Sequence, residues 1–232
     1  MRTIKRGDSG PEVGLLRRLL NRNVRPSPNI AETNIFGSRY NGAVRNDFGP
    51  QMEEAVKQLQ TSRGMPPNGI VGPPVWNALV LTLDISRPVM PASQPTNNTC
   101  YAAAATMVIG PQASASFQVG ATPPGVAPDD YWASSFAKQF SWKLEYGTSY
   151  LPDALAGFLN GGPFWFAGNL PFPGGPGYHA VVVGSIWGDR DPFGTMLLIY
   201  DPWPVSVGEV YGIILGDYVR SFPSAMRYVL HR

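Results

Sequence analysis

The sequence predicts an α+β protein, in which a small helical domain precedes a larger domain containing a sheet. Three observations support this prediction. Residues 1–83 contain three short helical patterns, an alanine-rich helical run follows Thr99, and β-branched residues follow His179 in two runs separated by a turn. The 232 residues are enough for two domains, because domains commonly contain about 100 to 150 residues.

Composition excludes several classes of protein. Hydrophobic residues make up 44% of the chain and charged residues 15%, and no apolar run approaches the roughly 18 residues of a membrane span. The net charge of +2 is too small to indicate nucleic-acid binding, although the first 90 residues are mildly basic. The start, MRTIKRGDSGPEV, lacks the apolar core of a secretory signal, so we expect export by a signal-peptide-independent route.

The first helix is predicted in the stretch GDSGPEVGLLRRLLN. Ser9 and Glu12 have the spacing of a capping box, and Pro11 falls in the first turn. One face of this helix is apolar, and its members are Val13, Leu16, Leu19 and Leu20.

Two further helices are predicted to follow apolar-Gly-Pro openings. Phe48-Gly49-Pro50 opens one that ends near Gly64, where glycine can adopt the left-handed cap, and Val71-Gly72-Pro73 opens the other. Their inward-facing residues are expected to be Met52, Val56 and Leu59 in the first, and Val75, Trp76 and Leu79 in the second.

These three segments resemble the small three-helix peptidoglycan-binding domain of bacterial wall hydrolases. The family patterns "RGDSGPxV", "FGPxxxxAVxxxQ" and "GxPxxGxVGPxxWxxL" are matched by residues 6–13, 48–60 and 64–79. The segment 25–46 is longer than the usual loop of the family. The resemblance implies that residues 1–83 bind peptidoglycan, and the proline-containing stretch DISRPVMPASQ predicts a linker over residues 84–93.

Cys100 is the only cysteine of the chain and therefore forms no internal disulfide. It follows the polar run TNNT and precedes YAAAATMV, so it is predicted to lie at the N-terminus of a helix. There the helix dipole favours the thiolate, the nucleophilic form. The alternative is a small buried structural residue.

A nucleophilic cysteine needs a base, and the chain contains two histidines. His231 is penultimate and is expected to be exposed or frayed. His179 follows a glycine-rich loop, residues 169–178, and is predicted to be the first residue of a strand. A turn centred on Arg190 would make residues whose numbers sum to 380 face each other, which places Asp201 opposite His179. An aspartate there would orient and charge the imidazole.

Gln94 precedes Cys100 by six residues, and its amide can donate to an oxyanion together with the Cys100 backbone N–H. The order Gln94, Cys100, His179, Asp201 resembles the papain-like cysteine protease superfamily, above all its compact bacterial members, the bacteriocin-processing peptidases and plant-pathogen effectors. The resemblance implies oxyanion stabilisation by Gln94, nucleophilic attack by Cys100, acid–base work by His179 and orientation by Asp201. It also implies a papain-like domain over residues 94–232.

Other residues near these four fit the resemblance in part. Trp203 matches the tryptophan that shields the orienting residue, while Tyr101 stands where a tryptophan is common. Aromatic side chains between the predicted helix and His179 are expected to be core. They are Trp132, Phe136, Phe140, Trp142, Phe158, Phe164, Trp165 and Phe166. The glycine-rich loop is expected to form one wall of the cleft.

The sequence therefore predicts a cysteine hydrolase that is held on peptidoglycan and cleaves an amide bond in a protein or in a wall stem peptide. No zinc spacing or phosphate loop is present, so neither a metal nor a cofactor is expected. Such a protein would fit an antibacterial effector that is delivered into the periplasm of a competitor. Its partners would then include an inhibitor or immunity protein. Two alternatives stay open: a non-catalytic wall-binding protein with a papain-like recognition module, and a cysteine-dependent acyltransferase.

Overall fold

The structure is a computed structural model that describes residues 1–31, 47–110, 130–147, 150–172 and 175–232. Most of the long segment predicted over residues 25–46, and the side chain of Trp132, lie outside the described residues. In the described ranges no helix is both long and apolar enough to cross a membrane.

Seven α-helices occur in the described part of the chain, three of them in the first 83 residues. They are α1 (Pro11–Asn23), α2 (Pro50–Ser62), α3 (Pro73–Ala78), α4 (Cys100–Ile109), α5 (Asp130–Gln139), α6 (Pro152–Asn160) and α7 (Leu215–Ser221). A short 3₁₀ turn spans Pro192–Gly194.

Within the described residues, seven strands form one antiparallel sheet. They are β1 (Leu83–Ser86), β2 (Lys143–Tyr146), β3 (Phe164–Phe172), β4 (Gly175–Gly188), β5 (Thr195–Asp201), β6 (Glu209–Ile214) and β7 (Tyr228–His231). Their order is β2-β7-β3-β4-β5-β6, and β1 pairs with the end of β4. The predicted α+β class, with the cysteine-bearing helix packed on an antiparallel sheet, is confirmed.

The three predicted N-terminal helices are confirmed, and every side chain predicted to face inward is buried. Gly64 has the expected left-handed backbone, with φ of 68°. The predicted Ser9 cap of α1 is wrong. Gly10 occupies the cap position with φ of 125°, which favours glycine, and no side chain caps the helix. Glu12 pairs instead with Arg2 at 3.0 Å.

The predicted linker, residues 84–93, begins inside the sheet. Residues 83–86 form β1, and Leu83 pairs with Gly188 while Ser86 pairs with Ser185. Leu83 is buried in the sheet core, which explains why the chain pairs here rather than running free. The chain therefore enters the second domain as a strand.

The two faces of the sheet are covered by different elements. One face packs α6 and α7 on Phe166, Val181 and Val183, among others. On the other face α4 covers Ala180 and Val182. Farther along that same face, Trp187 and Met196 join the core of the N-terminal helices. The three N-terminal helices thus pack on the sheet beside α4.

Helix α1 makes the main contact between the two halves of the molecule. A side chain on Gly212 of β6 would place its Cβ 2.8 Å from Cβ of Pro11, so this glycine permits the close approach. Arg18 pairs with Asp217, and Arg22, one turn later, lies 3.1 Å from Asp191. Apolar burial in the middle and ion pairs at the rim hold the helix on the sheet.

His231 is not frayed, contrary to the prediction. It lies in β7, only 7% exposed, and its ring stacks on Phe158 with centroids 4.3 Å apart. Its Nε2 lies 3.5 Å from Oε1 of Glu145. The strand is held because β7 pairs with both β2 and β3, a long-range arrangement that position in the sequence does not reveal.

The glycine-rich stretch before His179 forms paired strands where the structure describes it, rather than the predicted loop. Asn169 pairs with Tyr178, and Phe172 pairs with Gly175. His179 is therefore the fifth residue of β4, not the first. Glycine and proline lower strand propensity, but β3 and β4 are long enough for their pairing to continue through them.

The aromatic residues predicted as core are largely confirmed where the structure describes them. Phe136, Phe164, Trp165 and Phe166 are almost fully buried, and Trp142 is 8% exposed. Phe140 and Phe158 are partly buried at the edges of the same clusters.

Candidate active site

Cys100 is the first residue of α4, as predicted. Its side chain is partly exposed. Thr99 precedes it and directs its hydroxyl to the carbonyl of Thr96, at 3.1 Å, so no side chain caps the helix. The buried alanines 103–105 allow α4 to approach β3 and β4 closely, which brings the thiol to the backbone of Ala180.

His179 and Asp201 form a buried pair. The distance from Nε2 of His179 to Oδ1 of Asp201 is 2.7 Å, and the two residues are 1% and 2% exposed. Because Nε2 is engaged by the carboxylate, Nδ1 is the nitrogen left for the thiol, with which His179 also forms a hydrogen bond. The three residues form one hydrogen-bonded chain.

The register that joins His179 to Asp201 differs from the predicted one. Near the turn, Gly188 pairs with Thr195, so facing residue numbers sum to 383 rather than 380. With an odd sum, His179 and Asp201 would lie on opposite faces. Gly184 is an extra residue that shifts the register, and Val183 faces Ile199 beyond it.

This β-bulge restores the alignment. Continuing the register of Val182 and Tyr200 places Asp201 opposite Val181, two residues from His179 and on the same face. The side chains thus meet diagonally, although the predicted direct pairing is wrong. A Cβ on Gly184 would lie 2.5 Å from Cε2 of Tyr200, so only glycine fits at the bulge without displacement of its neighbours.

Asp201 accepts hydrogen bonds through both of its carboxylate oxygens. Besides His179, the backbone N–H of Trp203 donates to Oδ1 at 2.8 Å, and the hydroxyl of Tyr211 donates to Oδ2 at 3.1 Å. Donors of this kind stabilise the ionised carboxylate. Tyr211 was not among the predicted site residues, because its position depends on how β6 pairs with β5.

The pKa of His179 reflects opposing effects. Burial alone would lower it, but the charge and hydrogen bond of Asp201, together with Cys100, raise the pKa to about 9. The imidazole is therefore protonated at neutral pH.

The pKa of Cys100 is lowered below its ordinary value. Burial acts in the opposite direction, but the hydrogen bond and charge of His179 outweigh it, and the backbone N–H groups of Ala180 and Tyr101 add to the effect. The arrangement thus favours a thiolate next to an imidazolium, the reactive state of a nucleophilic cysteine.

Gln94 is fully buried beside the segment that follows Asp201. Its backbone N–H donates to the carbonyl of Pro202 at 2.8 Å, and its carbonyl accepts from Ser206. The side-chain Nε2 donates to the carbonyl of Thr96 at 2.7 Å, while Oε1 has no partner. One of its two N–H groups is thus used within the loop, so the second is the one left for an oxyanion.

Trp203 is half-buried, and its backbone, rather than its ring, makes the contact with Asp201 described above. The structure therefore places Cys100, His179 and Asp201 together, with Trp203 beside them. Gln94 is joined to this group through the backbone of Pro202.

Comparison with known families supports the first half of the sequence interpretation. Residues 9–79 match the family model described as "Putative peptidoglycan binding domain". The chain has an N-terminal peptidoglycan-binding domain. This match covers the three N-terminal helices and stops before β1. No curated protein matches the chain.

Proposed function

We propose that this protein is a cysteine hydrolase that its N-terminal domain holds on peptidoglycan, and that it cleaves an amide or peptide bond with Cys100, His179 and Asp201. The observation that carries the proposal is the hydrogen-bonded chain from a helix N-terminal thiol through a buried histidine to a buried aspartate. Its order and spatial relation fit the papain-like resemblance of the second domain.

In the first half of the proposed reaction, the Cys100 thiolate attacks the carbonyl carbon of the substrate. The carbonyl π electrons move to oxygen, and the resulting oxyanion is stabilised by the backbone N–H of Cys100 and the remaining N–H of Gln94. As the tetrahedral intermediate collapses, the C–N bond breaks and the imidazolium of His179 gives its proton to the leaving nitrogen. An amine leaves, and a thioester remains on Cys100.

In the second half, neutral His179 takes a proton from water, and the hydroxide attacks the thioester carbonyl. The C–S bond breaks, which releases a carboxylic acid and returns the thiolate beside a protonated His179. Asp201 orients the ring and stabilises its charge in both halves without taking the proton itself.

The hydrophobic core shared by the two domains favours the cell wall as the place of action. The wall-binding helices share a hydrophobic core with Trp187, Met196 and Ile214 of the sheet, so anchoring would bring the active site to a set distance from the polymer. A stem peptide of the wall, or a protein attached to it, is the substrate class that this geometry serves best. An effector acting in a competitor's periplasm is one setting in which such an enzyme would work.

The test is a sacculus assay with the full chain. Wild type and Cys100→Ala are incubated with purified peptidoglycan and sedimented, and the supernatant is analysed by mass spectrometry. Alanine is compatible with α4, which already contains four alanines in succession after Tyr101, so both proteins should co-sediment equally.

We expect stem-peptide fragments from wild type alone. If both proteins bind and neither releases fragments, the wall is only an anchor, and the same pair of proteins is then compared on protein substrates. Equal activity of wild type and Cys100→Ala on every substrate would contradict the proposal. Amine conjugates in place of acids would identify the acyltransferase alternative.

A further inference from the structure

The two oxygens of Asp201 serve different partners. Oδ1 accepts from His179 and from the backbone of Trp203, whereas Oδ2 accepts from the hydroxyl of Tyr211 at 3.1 Å. Tyr211 is only 6% exposed, so its hydrogen bond is largely shielded from water. A buried carboxylate oxygen without a donor would be costly, and Tyr211 supplies that donor.

The position of this hydroxyl is fixed by the sheet. Tyr211 pairs with Ile199 in the ladder between β5 and β6, and Glu209 pairs with Asp201, so Tyr211 reaches Asp201 diagonally. Its ring belongs to the hydrophobic cluster on the α6 and α7 face, which restricts its rotation. The tyrosine is thus a rigid donor rather than a mobile surface group.

We propose that Tyr211 is a positioning residue of the active site, whose hydroxyl fixes the carboxylate plane of Asp201 so that Oδ1 faces His179, and that keeps this carboxylate ionised. This inference rests on the proposed cysteine chemistry. In this role Tyr211 acts through Asp201 and not on the reacting atoms.

The hydroxyl of Tyr211 affects the thiol of Cys100 indirectly, because Asp201 interacts with His179 and His179 interacts with Cys100. In the described part of the chain, the ionisable groups that face Asp201 include His179 from β4 and Tyr211 and Glu209 from β6. Cys100 from α4 is linked to Asp201 through the imidazole. Glu209 places a second carboxyl group opposite Asp201, so the hydrogen-bond donors of Asp201 matter for keeping Asp201 charged. Without the hydroxyl, Asp201 takes up a proton more readily and supports the imidazolium less.

The test is the pH dependence of iodoacetamide alkylation at Cys100, measured by intact mass on the full chain. With a single cysteine in the chain, every added mass reports this thiol. In Tyr211→Phe the ring is retained and only the hydroxyl is lost. The alkylation rate rises with pH as Cys100 ionises, and we call this rise the acid limb of the profile. In Tyr211→Phe we expect the acid limb to move to higher pH by roughly one unit, which makes alkylation about tenfold slower at pH values below it.

The matched control is Tyr218→Phe, which removes a hydroxyl from a buried tyrosine of the same hydrophobic cluster. It should leave the acid limb in place, whereas a purely structural loss would affect both variants alike. A double-mutant cycle with Asp201→Asn adds a second measurement. If Tyr211 acts through Asp201, Tyr211→Phe should cause little further shift in the Asp201→Asn background.

The outcomes separate the inference from the proposed function. If wild-type Cys100 is alkylated only near the ordinary thiol pKa, the proposed thiolate and imidazolium pair is wrong. If wild type reacts at low pH but Tyr211→Phe has a superimposable profile, the proposed chemistry stands and the role of Tyr211 is wrong. An equal shift in Tyr218→Phe would also overturn that role.

Discussion

At the scale of single residues, the site depends on a balance between burial and charge. His179 is almost fully buried, which by itself would lower its pKa and leave the ring neutral. Asp201 reverses this effect, because its carboxylate is 2.7 Å away and is itself held by two other donors. The charged form of each group is thus stabilised by its neighbours, and removal of one group changes the others.

The first prediction at this scale concerns the pH dependence of the proposed hydrolysis. Activity needs Cys100 ionised and His179 protonated. It should therefore appear as pH rises through the lowered pKa of Cys100 and disappear as pH rises through the His179 pKa of about 9. The rate of fragment release, plotted against pH, should give a bell-shaped profile. An activity that keeps increasing beyond about pH 10 would contradict the roles assigned to Cys100 and His179.

The second prediction concerns Asp201→Asn. This change removes the charge that raises the pKa of His179, so the alkaline limb should move to lower pH. Activity should also fall by about a hundredfold or more, since an orienting carboxylate is replaced by an amide that can hold the ring in the wrong tautomer. Rates and the alkaline limb are measured on the same preparation, with circular dichroism to confirm folding. An unchanged limb would show that Asp201 does not set the charge of His179.

At the scale of elements, α4 and the bulge of β4 decide whether the site assembles. The alanines bring the helix close enough for its first residue to reach Ala180. The extra residue Gly184 then shifts the strand register by one residue, so that His179 and Asp201 lie on the same face of the sheet. Either element alone would leave the thiol or the base without its partner.

The third prediction is that Gly184→Val destabilises the protein and lowers Cys100 reactivity together. The new side chain would meet Tyr200 at 2.5 Å and Val89 at 2.9 Å, so we expect a loss of about 1 to 3 kcal/mol in the free energy of unfolding. Urea unfolding measures the stability, and iodoacetamide alkylation measures the site.

The control is Gly157→Ala in α6, where a Cβ has no atom within 4 Å. This change should stabilise the helix by about 0.5 to 1 kcal/mol and leave the thiol unchanged. Gly184→Val with wild-type stability would show that the bulge is not sterically required.

At the scale of the whole molecule, the peptidoglycan-binding domain and the sheet share one hydrophobic core. Their shared core includes Trp187, Met196 and Ile214, and ion pairs from Arg18 and Arg22 lie around it. The chain crosses from one half to the other as β1, a paired strand. Under the proposed function, binding to the wall would therefore orient the site as well as concentrate it there.

The fourth prediction is that Gly212→Val separates the two halves. Its Cβ would lie 2.8 Å from both Pro11 and Met196, and this would push α1 away from β6. We expect wild type to unfold in one cooperative transition by calorimetry and the variant to show two, with faster proteolysis after β1. Alkylation of Cys100 is measured alongside, because Gly212 is the chain neighbour of Tyr211, and it shows whether the change in β6 reaches the site. A single transition in the variant would mean that the contact is not needed for cooperativity.

Local sequence rules determined much of this protein. Glycine and proline residues determine where α1, α2 and α3 begin. The change from polar residues to alanines determines where α4 begins, with Cys100 as its first residue. Both can be predicted from sequence because helix caps and propensities act over a few neighbouring residues. The choice of His179 and Asp201 also came from the sequence, although the predicted register was wrong. What the tertiary structure alone decided were long-range pairings: the bulge at Gly184, Tyr211 beside Asp201, the burial of His231 in β7, and the docking of α1 on the sheet. These depend on which distant strands meet and on the space left between them, and no local pattern encodes that.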